Sequence, residues 1–227
     1  MYLYLVRHGL STGNVARFLQ GWMDTDLTPE GEEQARKTAE FFAHYGRRHG
    51  LNFTALYSSP LKRAYDTARA IGRELKLKPI ADPSLREMHG GQVEGKTLEE
   101  WQSAFPGLRT KWENRADMSF GWPGGETRAA FRDRAVGTIR GIVERHDPLD
   151  NVIVVTHGGV IRAYLNHAGL DNPAGLREFS AGNCSITHVR YDHEGTWIGC
   201  LVDFNQQAHL EDVYDVAEAA NPDLALL

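Results

Sequence analysis

Asn151-Val152-Ile153-Val154-Val155-Thr156-His157-Gly158-Gly159 is the stretch that decides the fold. Its first six residues are almost continuously apolar and β-branched. That pattern suits a strand buried on both faces of a parallel sheet. A helix is predicted directly after it, from about Gly159 to His167. Residues 2–6 and 53–57 read as further strands. Thr28-Pro29-Glu30 reads as a cap followed by proline in a first helical turn. Ala35, Ala39 and Phe42 mark one face of that helix, to about Tyr45. Ser59-Pro60 opens another helix, with Ala64, Ala68, Ile71 and Leu75 on one stripe. A short helix fits residues 97–105. A long one follows Gly124-Gly125, with Phe131, Ala135, Ile139 and Ile142 in helical spacing. Residues 186–191 and 197–204 read as a hairpin around Asp192-His193-Glu194-Gly195.

Strands alternating with helices predict an α/β fold, a three-layer α/β/α sandwich with a mostly parallel central sheet. Ligands of such folds bind beyond the carboxyl ends of the strands. Arg7-His8, the run 58–63 and His157-Gly158-Gly159 would all lie on that one edge. Two arginines and two histidines would then form a small cationic cup.

The 227 residues are ample for a sizeable core. A net charge of −5 leaves no basic footprint for nucleic acid. An anionic ligand must be held by a local cluster against a mildly negative whole. Cys184 and Cys200 make neither a disulfide framework nor a zinc pattern, which fits a reducing compartment. A tight hairpin would put the two out of register. The first apolar run is cut by Arg7, too short for a signal peptide, and no stretch is long enough to span a membrane. The reading is cytoplasmic, with neither a nucleic acid nor a membrane as partner.

Two arginine forks match phosphate oxygens. Helices starting near Ser59 and Gly159 would add amide donors. An imidazole beside these cations stays unprotonated more easily and can attack phosphorus. A second histidine, if protonated, can stabilise charge on the equatorial oxygens. A leaving alkoxide needs a proton, and Glu87 is the candidate carboxylate.

Five pieces stand in order: Arg7-His8-Gly9 with Asn14; Ser59 to Ala68 (SPLKRAYDTA); Leu85-Arg86-Glu87 with Gly91, Glu94 and Gly95; Pro123-Gly124-Gly125-Glu126; and Val154 to Gly159 (VVTHGG). This set resembles the histidine phosphatase superfamily, in its phosphoglycerate-mutase-like branch. The resemblance runs nearly the whole chain and implies a phosphoglycerate-mutase-like sandwich. It implies that His8 becomes a phosphohistidine, that Arg7, Arg63 and His157 hold the transferring group, and that Glu87 is the acid and then the base. It places Asn14, Gln20, Gly21 and Gly158 with the substrate. It implies no cofactor and no metal, a cationic cup replacing magnesium. One catalytic domain is expected over 1–210, with 92–124 as a lid-like insertion and 211–227 as an acidic tail.

The chain departs from the family at Leu10, where an acid or an amide is common. The roles above do not use that side chain, so Leu10 is expected to alter only packing or supporting hydrogen bonds. Family mutases carry a longer insertion with an adjacent arginine pair, and tend to read His-Gly-Asn at the second histidine. Residues 87–124 are short and space Arg109, Lys111 and Arg115 singly. The expected activity is therefore hydrolysis of a small phosphorylated metabolite. Phosphoglycerate mutase and a non-catalytic phosphate-binding module are the alternatives. Trp101, Phe105, Leu108, Trp112, Phe120 and Trp122 would form an apolar lid or wall. Glu94 and Glu126 either belong to the site or brace loops, His209 stands behind it, and His89 either lines it or is an ordinary loop histidine. Arg162 is expected to tie its helix to the sheet. The remaining histidines are expected at the surface. The oligomeric state is left open, a homodimer among the options.

Overall fold

The computed structural model describes residues 1–170, 179–193 and 197–211. Six strands form one sheet: β1 (Tyr2–Arg7), β2 (Phe53–Ser58), β3 (Ile80–Ala81), β4 (Asn151–Thr156), β5 (Ile186–His193) and β6 (Trp197–Gln206). Their order is β3-β2-β4-β1-β5-β6. The first four in that order run parallel, and β5 and β6 continue antiparallel. The chain thus has the expected mostly parallel sandwich. The helices are α1 (Thr12–Ala16), α2 (Pro29–His49), α3 (Lys62–Leu75), α4 (Leu98–Ala104), α5 (Leu108–Glu113), α6 (Arg128–Val143) and α7 (Gly158–His167).

Every residue of β4 is buried, as its composition requires. Its side chains alternate between two cores. Val152 and Val154 pack with Phe131, Ala135 and Ile139 of α6 and Ile161 of α7. Ile153 and Val155 pack with Phe42 of α2 and Ile71 of α3. Leu3 and Leu5 of β1 join the first core, Tyr4 and Val6 the second. One hydrophobic strand therefore holds two helical layers, and its direction sends His157 out at the same end as His8 and Ser59. The register fixes this: Arg7 pairs with Thr156, and Ser58 with Val155.

Some boundaries differ from the sequence expectation. α2 continues past the last apolar residue of its stripe to His49, because Gly50 supplies the left-handed cap (φ 63°). α3 starts at Lys62, not at Ser59, with Leu61 in extended conformation at its cap. α5 was not anticipated: its six residues bury none of their own, so no stripe announces it. The hairpin strands are present, but the turn 194–196 and the tail beyond Glu211 lie outside the described residues. Cys184 and Cys200 are both free. No described helix is long and apolar enough to cross a membrane.

α2 enters the fold against the loop after β1. Thr28 caps it by accepting from the Gly31 amide, and the Thr28 N–H and hydroxyl both donate to the Leu10 carbonyl. A Cβ on Gly31 would overlap that carbonyl. Gly31→Ala should therefore lower stability by about 1–3 kcal/mol, read as a lower urea midpoint with an unchanged denaturant slope.

Candidate active site

Beyond the carboxyl ends of β1, β2 and β4 lies an open cavity of about 960 Å³. Arg7, His8, Asn14, Gln20, Gly21, Arg63, Glu87 and Gly158 line it. His157 stands directly behind His8, ring centroids 5.2 Å apart. The structure thus brings the nine residues assigned to catalysis or substrate from the sequence to one place.

His8 is 3 % exposed, and its Nδ1 lies 2.8 Å from the Gly9 carbonyl. A carbonyl only accepts, so Nδ1 carries the proton and the lone pair is on Nε2. Burial, then the Arg63 and Arg7 charges, hold the His8 pKa well below its ordinary value. Burial, then Arg63 and His8, do the same at His157. Both shifts favour the neutral ring. His157 Nε2 lies 2.8 Å from Ser59 Oγ. It heads α7 without capping it through its side chain.

Arg63, in the first turn of α3, is 1 % exposed. It donates to the carbonyls of Met23 (2.8 Å) and Gly21 (2.9 Å). Gly21 acts through this carbonyl, in a left-handed turn (φ 49°). Arg7 donates to the Ala181 carbonyl at 2.6 Å. Burial lowers both arginine pKa values, Arg63 to about 10. Arg7 Nε, Arg63 Nε and His157 Nδ1 are buried without a hydrogen-bond partner among the described residues. Buried polar atoms seldom go unpaired.

Asn14 and Gln20 are held by their oxygens. Asn14 Oδ1 accepts from the Ser11 amide (3.1 Å) and from Asn183 (3.3 Å), and lies 2.8 Å from the Ser11 hydroxyl. Gln20 Oε1 accepts from Thr25 Oγ1 at 2.6 Å. Each side chain keeps its NH₂ as a donor for a ligand.

Glu87 follows the short turn after β3. Its Oε2 accepts from the Gly159 amide (3.0 Å), and Oε1 from the Met88 amide (2.8 Å). A Cβ on Gly159 would overlap this carboxylate, which is why glycine stands there. The peptide of Glu87 is held in turn. Its carbonyl accepts from Trp22 Nε1 (2.7 Å) and Arg134 (3.2 Å). Arg134 also reaches the Ser84 and Arg86 carbonyls and pairs with Glu126 at 2.6 Å. Glu126 and Glu94 are thus loop braces; Glu94 accepts from the Trp22 and Gly90 amides. Arg134 and Ser59 were missed as supports. For Arg134 a signal existed: a charge beside the buried Phe131–Ala135 stripe demands a partner.

Leu10 does not line the cavity. Its N–H donates to Gln34 Oε1 at 2.9 Å, and its carbonyl takes the Thr28 bonds. Its backbone, not its side chain, is used. His209 lies behind the loop, 3.1 Å from Thr38 Oγ1. His89 stacks on Trp22 and is not among the lining residues. Trp112, Phe120 and Trp122 line the cavity, while Trp101 packs behind them. Three expectations fail. His188 is not at the surface but stacks on Tyr4 at 4.5 Å, and burial lowers its pKa to about 4. Arg162 is exposed and lines the cavity instead of tying α7 to the sheet. His146 is partly buried between Tyr57 and Asp150 rather than free at the surface.

His8, His157 and His209 all have pKa values below the ordinary one, His209 at about 4. The unfolded chain binds protons that the folded chain refuses, from about pH 6.5 downward. Stability should fall as pH drops through that window, by about 1.4 kcal/mol per pH unit per histidine. Urea midpoints at pH 7, 6 and 5 check this. His209→Gln should flatten the slope.

A sequence model of the histidine phosphatase superfamily (branch 1) matches residues 3–203. A metal-independent phosphoserine phosphatase of Arabidopsis thaliana is 32% identical over 93% of this chain and 84% of its own. A glucosyl-3-phosphoglycerate phosphatase of Mycolicibacterium vanbaalenii is 36% identical over 71% of each chain. The solved mycobacterial glucosyl-3-phosphoglycerate phosphatase in complex with VO3 superposes with a TM-score of 0.76 at 29% identity, over 91% of this chain and 99% of that one. With the sandwich and the cup already in place, the chain belongs to branch 1 of the histidine phosphatase superfamily.

Proposed function

We propose that this phosphomonoesterase moves the phosphoryl group of a small phosphate ester first to His8 and then to water, with Glu87 as acid and base. The tautomer of His8 carries the reading. The Gly9 carbonyl pins the proton on Nδ1, and burial beside two guanidinium groups keeps the ring neutral. A lone pair on Nε2 is then available at neutral pH. Nε2 attacks phosphorus, the N–P bond forms as the ester P–O bond breaks, and Glu87 protonates the leaving oxygen. Glu87 next takes a proton from water, which attacks phosphorus and breaks the N–P bond, releasing inorganic phosphate.

Arg7, Arg63 and the NH₂ groups of Asn14 and Gln20 hold the non-bridging oxygens. A dianionic phosphoryl group favours protonation of His157, which would then add a charged donor. The arginines supply the positive charge that a metal ion supplies in other phosphoryl-transfer sites, so the reading is metal-independent. Residues 1–210 form the catalytic domain, and 92–124 act as a lid whose aromatic residues wall the cavity. Two free cysteines suit a cytoplasmic setting. The mutase reading gains nothing from residues 88–124, which hold no adjacent arginine pair.

Incubating the protein with 4-nitrophenyl phosphate and small alkyl phosphates, with and without chelator, tests this. Phosphate release should resist the chelator and fall by a factor on the order of 10⁴ or more in His8→Ala. Enzyme quenched during turnover of a labelled ester should carry base-stable, acid-labile phosphoryl label in the wild type and none in His8→Ala. Chelator-abolished turnover, or label persisting in His8→Ala, would overturn the mechanism. Glu87→Gln should cost alkyl phosphates about 10²–10⁴-fold. It should spare phosphorylation by 4-nitrophenyl phosphate, whose leaving group needs no proton, and leave a nitrophenol burst with trapped phosphoenzyme.

A further inference from the structure

Ser59 is the first residue after β2 and is fully buried. Its N–H donates to the Val155 carbonyl at 3.0 Å, so the register of β2 on β4 sets it beside His157, two residues further along that chain segment. Pro60 follows and has no N–H, and Leu61 heads α3 without a side-chain cap. The Leu61 N–H donates instead to Ser59 Oγ at 3.3 Å. The same oxygen lies 2.8 Å from His157 Nε2.

A working histidine is often held through Nδ1–H by a carbonyl or a carboxylate, which leaves Nε2 for the chemistry. His8 follows that pattern with the Gly9 carbonyl. His157 is held the other way round. Its Nε2 is engaged by a hydroxyl, and no described carbonyl or carboxylate reaches its Nδ1.

Hydrogen-bond accounting then decides where the ring proton sits. A hydroxyl has one proton and two lone pairs. Leu61 takes one lone pair of Ser59; the other lone pair and the proton remain for His157. A ring proton on Nε2 would donate to Oγ. The Ser59 proton would then find no acceptor, and the Nδ1 lone pair no donor, among the described residues. With the hydroxyl donating to Nε2, only the Nδ1 proton is left over. Buried polar groups are paired wherever they can be, which favours the second arrangement. The guanidinium groups that act on the ring, those of Arg63, Arg7 and Arg134, offer it no acceptor. In water the neutral ring of histidine prefers its proton on Nε2, so a protein must impose the other form.

We propose that Ser59 is a positioning residue that fixes His157 in its Nδ1–H tautomer, so that His157 meets the transferring phosphoryl group as a hydrogen-bond donor through Nδ1 without first becoming a cation. The tautomer stands on the geometry alone; its use on the phosphoryl group rests on the phosphatase reading. His8 and His157, ring centroids 5.2 Å apart, then share one tautomer and divide the work. His8 shows its lone pair and His157 its proton. A ring that takes up a second proton receives it on Nε2, and the hydroxyl reverses the sense of its bond.

Ring nitrogen NMR shifts of the full chain labelled with 15N-histidine, at neutral pH, read the tautomer without turnover. His157, assigned by the signals lost in His157→Gln, should show a protonated Nδ1 and an unprotonated Nε2. In Ser59→Ala the proton should move to Nε2, and kcat on alkyl phosphates should fall by about 10²-fold with little change in KM. Ser59→Thr keeps the hydroxyl and should keep the wild-type tautomer and most of the rate. An Nε2–H or doubly protonated His157 in the wild type overturns the proposal, whatever the variants do. So does an Nδ1–H form that persists in Ser59→Ala, because the tautomer then does not depend on the hydroxyl. A moved proton with an unchanged kcat overturns the use of Nδ1–H on the phosphoryl group. An Nδ1–H ring that depends on Ser59, in a wild type that hydrolyses no ester, upholds the positioning while the phosphatase reading falls.

Discussion

Two guanidinium groups, Arg63 buried and Arg7 partly so, stand at the end of the sheet near Glu87 but in no ion pair with any described carboxylate, and the architecture of the site follows from that. A buried charge without compensation is costly. Here compensation comes from backbone carbonyls. Arg63 takes those of Gly21 and Met23, Arg7 that of Ala181. A carbonyl offsets part of the desolvation without cancelling the charge. The cup therefore stays positive and still folds. The loops 19–23 and 179–183 must lie where they do because they supply those oxygens. Burial first, and the charge of the cup after it, hold the pKa values of the two histidines down.

Side-chain amides follow a similar rule. Asn14 and Gln20 give their oxygens to Ser11, Thr25 and Asn183 and keep their NH₂ groups. Glu87 is treated in the opposite sense, its oxygens engaged by the amides of Gly159 and Met88. Donors are left free, and Glu87, the one carboxylate among the described residues lining the cavity, is held still.

The fold was legible because burial on both faces writes itself into β4 as an uninterrupted apolar run. The strand ends then placed Arg7, His8, Arg63 and His157 by topology alone. Glu87 needed the family resemblance, since a carboxylate in a loop has no periodicity to announce it. Ser59 and Arg134 were missed because each acts through a partner far away in the chain. Arg162 was misjudged for a related reason. Helical spacing relates it to His157, but which side of α7 meets the cavity is set by how that helix packs on α6 and the sheet. α5 buries no residue of its own, so no pattern marked it.

Arg128 fastens the 112–117 loop by grasping three main-chain carbonyls, which every residue type provides. The attachment is blind to what side chains that loop displays. Glu87, by contrast, hangs from Arg134 on the same helix, two turns further on. α6 therefore carries two separate mountings, one for Glu87 and one for the aromatic wall of the cavity. The wall can be rewritten residue by residue while His8 and Glu87 stay in place, which is a route by which one scaffold could change its diet of phosphate esters without rebuilding the cup.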